Sequence, residues 1–226
     1  MKRIYSFILI FLITGCATLP APIIESPQAS AIGIQVKTEA PVGIFTDIPD
    51  RIFFVKIDND DSIKQNQIIP SNYAKDGRVY LLNANPGQYA AVAAFKKQKA
   101  LPFSSAPQSG VSVSFSVGST GYTTYFPREL IEATRVNVGS SEAVFMGSYV
   151  VKQTVGLKEA EPIQYHYAEL LSPGSAKSGI GHWLSGDYHY RGSVADMKND
   201  DTAKQEFLEK SEGDLREGGW AAIFEW

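Results

Sequence analysis

The sequence contains one cysteine, Cys16, so no disulfide can form within the chain, even where the compartment would permit one. It also has no apolar stretch of about 20 residues, the length a helix needs to cross a bilayer core. Its main apolar run covers residues 4–13, broken only by Tyr5 and Ser6. Such a run can engage an export machinery but cannot remain as a span. Clustered basic charge is missing too. There are 21 Lys and Arg against 24 Asp and Glu, and the one basic run, Lys96-Lys97-Gln98-Lys99, reads as a solvated loop after a strand. That balance argues against nucleic acid and anionic headgroups as partners, since both need clustered Lys and Arg. Leucine heptads are absent, as are the G-x-S-x-G, S-x-x-K, P-loop and H-E-x-x-H signatures. The expectation is a chain with no catalytic residues and no cofactor.

What is present begins at the N-terminus. Lys2 and Arg3 precede the apolar run, and Ile13-Thr14-Gly15-Cys16 follows it. A basic start, a short apolar core and small residues form a secretory signal. The last four residues resemble the lipobox of bacterial lipoproteins. The resemblance implies removal of residues 1–15 as a signal peptide and lipidation of Cys16. A thiol at the membrane surface can take a diacylglyceryl group, and Gly15 leaves room for the peptidase. Two or more chains give durable anchoring where one is marginal, at about 0.8 kcal/mol per buried methylene. The competing reading is an ordinary secretory signal with an accidental cysteine. Removing Lys2 and Arg3 with the signal leaves 19 basic and 24 acidic side chains, a formal charge of −5.

Residues 16–30 form the lipidated N-terminus and a tether in which Pro20, Pro22 and Pro27 favour extended backbone. Fully extended, the tether reaches at most about 50 Å. Residues 31–226 form one β-rich domain, with a subdivision near 152 as the alternative. Ile32, Ile34 and Val36 alternate with polar residues and Gly33, which predicts a strand; residues 52–57 predict another. Residues 79–82 and 88–95 flank Asn83-Ala84-Asn85-Pro86-Gly87, which predicts a type II turn and a β-hairpin. Further strands are expected at 111–117, 121–126, 134–138, 144–151 and 164–170. A helix is expected where Thr202 and Gln205 form a capping box, with Ala203, Phe207 and Leu208 on one apolar side and Gly218-Gly219 ending it. A final strand is expected at 220–226. The fold class is mainly β: an antiparallel β-sandwich with a C-terminal helix and final strand.

Ser71-Asn72-Tyr73, Tyr80-Leu81-Leu82-Asn83-Ala84 with Pro86-Gly87-x-Tyr89, Val144-Phe145-Met146-Gly147 and His166-Tyr167 add to the lipobox. Together they resemble uncharacterised bacterial envelope lipoproteins, spirochaetal among others. The resemblance implies a lipid-anchored envelope protein and brings no activity with it. Ala17 after the cysteine favours the outer membrane, on its periplasmic face or at the cell surface.

Two segments carry residue types that can ligate metal. Asp58-Asn59-Asp60-Asp61 opens like a calcium loop, but Ile63 and Ile69 stand where Gly and Glu are needed. His166 in Tyr165-His166-Tyr167 and His189 in Tyr188-His189-Tyr190 would share a face with His182 only if the two segments were paired strands. The simpler reading is two strands with tyrosines on the core and histidines outward. No metal is expected. The expected partners are the membrane, through Cys16, and an envelope protein. The expected role is binding or structural; the rivals are a hydrolase using scattered carboxylates near Asp187 and an adhesin acting through its loops.

Overall fold

The computed structural model describes residues 20–41, 46–57, 68–98, 120–174 and 187–224. Eleven strands in these residues join one mixed sheet. They are β1 (Ser30–Glu39), β2 (Thr46–Asp47), β3 (Arg51–Ile57), β4 (Ile68–Pro70), β5 (Tyr73–Lys75), β6 (Arg78–Ala84), β7 (Gly87–Gln98), β8 (Thr120–Tyr125), β9 (Val136–Val138), β10 (Ala143–Val155) and β11 (Asp187–Lys198). Three α-helices accompany them: α1 (Arg128–Ala133), α2 (Pro162–Leu171) and α3 (Asp201–Leu215). The strand order is β4-β3-β7-β8-β11-β10-β1-β6-β5, with β2 beside β1 and β9 beside β7.

The two ends of that order are consecutive in the chain. β4 pairs with β3, placing Pro70 opposite Phe53, and β5 pairs with β6, placing Tyr73 opposite Tyr80. Between them the Ser71 amide donates to the Ile52 carbonyl (2.8 Å), and the Asn72 amide donates to the Tyr80 carbonyl (3.1 Å). The Ser71 hydroxyl oxygen also accepts from the Ile52 amide at 3.0 Å. Residues 68–75 therefore hand over from one end of the sheet to the other and curl it into a ring. Among the described residues β4 pairs only with β3 and β5 only with β6, so this short segment links the two ends by its own backbone.

The mainly β class and the C-terminal helix agree with the sequence, but the sheet is not antiparallel throughout. β1 runs parallel to β10, and β8 runs parallel to β11. The predicted hairpin does not form. β6 pairs with β1 and β5, whereas β7 pairs with β3, β8 and β9. Asn83 takes φ +62°, and Gly87 sits at φ +153° rather than the turn value near +80°. The chain turns at Asn83 and crosses to the opposite wall, because β1 already occupies the edge of β6 that the hairpin would use. Lys96 and Lys97 belong to β7, where Asp50 takes both the Lys96 ammonium (3.1 Å) and the Lys97 amide (2.8 Å).

Two further expectations are overturned by local capping. Residues 164–170 are helical: Glu161 and Gln164 form a capping box around Pro162 at the first turn. Gln164, Tyr167 and Ala168 then fall on one buried face. Residues 220–224 form a 3₁₀ turn instead of a strand, entered from Gly219 at φ +80°, which favours glycine. The cap of α3 falls two residues before the predicted Thr202, at Asp200, whose carboxylate accepts from the Ala203 amide (2.8 Å). The expected strand at 111–117 lies outside the described residues.

The ring encloses the main core. Ile34, Val36, Ile52, Phe54, Ala91, Tyr125 and Tyr149 are fully buried there. Leu130, Ile131, Tyr167 and Ala168 from α1 and α2 join the same cluster and plug the ring. Where β8 leaves β7, Thr134 mends the ladder: its Oγ1 accepts from the Ala91 amide at 3.0 Å. Gln164 does the same between β8 and β11, donating to the Tyr125 carbonyl (2.8 Å) and the Gly192 carbonyl (3.0 Å). These side chains satisfy backbone groups that burial would otherwise leave unpaired.

A second core lies on the outer face of β1, β6 and β10. Phe207 and Leu215 of α3, with Trp220, Ile223 and Phe224, cover Ala31, Tyr80, Leu82 and Phe145 there. Residues 20–29, part of the expected Pro-containing tether, pack on this layer. Trp220 Nε1 donates to the Pro22 carbonyl (2.7 Å), and Asn83 bonds both the Glu25 amide (3.0 Å) and the Ile23 carbonyl (2.9 Å). The Ser141 hydroxyl holds the Pro27 carbonyl. The unusual φ of Asn83 thus serves two purposes, turning the chain and holding the N-terminal segment.

Candidate functional site

α1, α2 and the end of β3 surround a cavity of about 280 Å³, near the lower end of the range of roughly 300–1,000 Å³ for small-molecule sites. Val55, Ile57, Ile131 and Ile163 supply apolar walls, while Arg128, Glu132 and Arg135 supply charge. The capping box that makes α2 helical also places Tyr167 on the face turned toward this space. Tyr167 is fully buried, and its hydroxyl has no hydrogen-bond partner among the described residues.

The charges here are unequal in their commitments. Glu132 is paired with Arg135 at 3.4 Å. Glu161 Oε2 accepts from the Arg128 amide at 2.8 Å, and its backbone amide donates to Gln164 Oε1 at 2.9 Å. The Arg128 guanidinium has no hydrogen bond or ion pair among the described residues. Burial pushes the Tyr167 phenol up to about 12, with the Arg135 charge opposing and the Glu132 charge adding. The hydroxyl is therefore a proton donor across the neutral range.

A second polar cluster ties α3 to the sheet. Asp214, 6% exposed, accepts from Arg78 Nε at 2.6 Å and from Arg78 Nη2 at 3.0 Å. Tyr80 donates to the same carboxylate at 2.6 Å and lies 3.0 Å from the Ser211 hydroxyl. Hydrogen bonding to Asp214 holds Arg78 above its ordinary value, and burial with the same carboxylate holds Tyr80 well above its own. Each charge is met by an opposite charge or a donor. Beside this cluster a cleft of about 270 Å³ is lined by Lys37, Lys198 and Lys210 together with Asp196 and Glu206.

Three buried phenols give the fold an alkaline limit. Tyr149 and Tyr167 are each pushed up to about 12 by burial, and Tyr80 is raised further. An unfolded chain ionises its tyrosines from about pH 10, while the native state keeps these three protonated. Stability is then unaffected below pH 10. It falls between about pH 10 and 12 by roughly 1.4 kcal/mol per pH unit for each tyrosine. Urea unfolding followed across that window is expected to show the loss, and a flat profile there would contradict the burial of these groups.

Among the sequence-derived candidates, Cys16, His182 and Asp58-Asn59-Asp60-Asp61 lie outside the described residues. His166 is on the exposed side of α2 rather than on a strand. His189 lies on β11, where its Nδ1 is 2.9 Å from the Tyr125 hydroxyl and its ring stacks on Tyr125. The two Tyr-His-Tyr segments are therefore not paired strands, and in the second the histidine faces the core tyrosine. Tyr188 and Tyr190 instead stack on Tyr122, at 5.3 and 6.1 Å between centroids. Asp187 is exposed at the start of β11, opposite Gly121. No group of three or more His, Cys, Asp or Glu among the described residues could hold a metal ion. Sequence reasoning missed Arg128 and Tyr167. The available signal was the Glu161-Pro162-x-Gln164 capping pattern, which turns the alternating tyrosines into a helical face.

No family model, curated protein or solved structure matches this chain.

Proposed function

We propose that this chain is a lipid-anchored lipoprotein of the bacterial envelope, held by acyl chains on Cys16, with a binding role for its folded domain. One observation carries the anchor: the lone cysteine stands directly after Ile13-Thr14-Gly15, at the end of a basic-then-apolar export signal. The outer membrane is the favoured site, from Ala17 at the sorting position. We read the curled sheet as a flattened, sandwich-like shell, because side chains of β1 and β6 share one core with those of β3 and β7. Binding is favoured over a purely structural role by the cavity at the plugged end of the ring. It combines apolar walls with a guanidinium unpaired among the described residues and a buried donor, the mixture found in small-molecule sites.

The anchor is tested by mass spectrometry of the mature protein recovered from membranes. The expected N-terminus is Cys16 carrying acyl chains. Cys16→Ser is expected to move the protein from the membrane to the soluble fraction. An unmodified thiol, or a membrane-bound serine variant, would sink the proposal.

A further inference from the structure

We propose that the cavity between α1, α2 and β3 is a binding site for a small amphipathic carboxylate, with Arg128 holding the carboxylate and Tyr167 donating to it. This gives the binding role a ligand class and does not depend on the lipid anchor.

The first ground is the Tyr167 hydroxyl. It is buried, lacks a partner, and belongs to the lining of the cavity. Buried hydroxyls are almost always hydrogen-bonded, because water is lost to them and nothing replaces it. No acceptor for this protonated phenol lies among the described residues, so an acceptor entering the cavity can meet it. The second ground is charge. With Glu132 on Arg135 and Glu161 on the Arg128 amide, the Arg128 guanidinium is left without an ion pair among the described residues. A planar guanidinium matches a carboxylate in two parallel bonds. One uncommitted guanidinium balances one negative charge, which favours a monoanion over a phosphate dianion. The third ground is the wall. Val55, Ile57, Ile131 and Ile163 offer no polar partner, so the rest of the ligand must be apolar, and the volume limits it to a short chain or single ring.

The site can be tested on the full mature chain from position 16, carrying Cys16→Ser so that no detergent competes for the cavity. Hexanoate, hexanol, hexylamine and inorganic phosphate are titrated at neutral pH by calorimetry. Hexanoate is expected to bind at least about tenfold tighter than hexanol, with hexylamine and phosphate not bound. Arg128→Gln is expected to erase the preference for hexanoate over hexanol. Tyr167→Phe has two expected effects of opposite sign. It weakens hexanoate about tenfold, yet raises the Tm of the ligand-free protein by about 2–4 °C, because an unmet hydroxyl has been removed. A purely structural tyrosine could not move both readings in that way.

Equal affinity for hexanol and hexanoate would remove the carboxylate from the proposal. Phosphate binding as tight as hexanoate would reduce the site to a simple anion contact. No binding of any probe, or a lowered Tm for Tyr167→Phe, would overturn it outright. None of these results bears on the acylation of Cys16, which mass spectrometry reads separately.

Discussion

Asp214→Ala is expected to destabilise the protein by about 3–5 kcal/mol, the usual cost of stranding one member of a buried ion pair. The arginine left behind has a side chain only 12% exposed, and the carboxylate it loses is 5% exposed. Tyr80 loses its acceptor in the same step. Arg78 lies on β6 and Asp214 in the last turn of α3, so the damage falls on the joint between sheet and helix. Urea denaturation gives the magnitude. Replacing both partners by apolar residues, as in Arg78→Met with Asp214→Leu, is expected to recover most of the loss, because no charge is then stranded. A single-variant loss under about 1 kcal/mol would place the pair in the class of exposed salt bridges.

Trp220→Ala should cost a similar amount, about 3–5 kcal/mol, from the cavity left by a fully buried indole. Its second effect is positional. The indole N–H holds the Pro22 carbonyl, and the ring fills the outer core between α3 and residues 20–29. Limited proteolysis is expected to cut within residues 20–29 far faster in the variant. Trp220→Phe keeps most of the packing and removes only the hydrogen bond, so its cost should be near 1 kcal/mol. Equal cutting of the alanine variant and the parent would show that the segment is held by its Asn83 and Ser141 contacts alone.

The parts of this fold that were legible in the sequence are those set by local pattern. Alternation found β1, an apolar run ending in a turn-rich segment found β3, and short strand-like runs between turn residues found β8 and β10. Failures came where distant residues decide. Pro86-Gly87 carries hairpin chemistry, but the edge of β6 is taken by β1, which lies more than forty positions upstream. Tyr165-His166-Tyr167 reads as alternation over three residues, and only the cap at Glu161 and Gln164 shows that the backbone is helical. Trp220 to Phe224 looked like an alternating strand until the indole found its acceptor in residue 22. The polar sites were invisible for the same reason. Arg78 and Asp214 stand 136 positions apart, and Arg128 and Tyr167 come from different helices. No motif spacing links such pairs; only closure of the ring does.

The docking of residues 20–29 changes what an acyl group on Cys16 would do to the rest of the molecule. Extended over its whole length the tether was allowed about 50 Å; with the chain fixed from Ala21 onward, five residues remain and span at most about 18 Å. A leash of the first length lets a domain swivel freely. If Cys16 carries acyl chains as proposed, the shorter reach, rooted beside Trp220, would keep the α3 side of the ring nearer the lipid. Drag on a domain so anchored would be carried through the Pro22–Trp220 and Asn83 bonds into the outer core, and the layer that covers the sheet would then also be the mooring that bears the load.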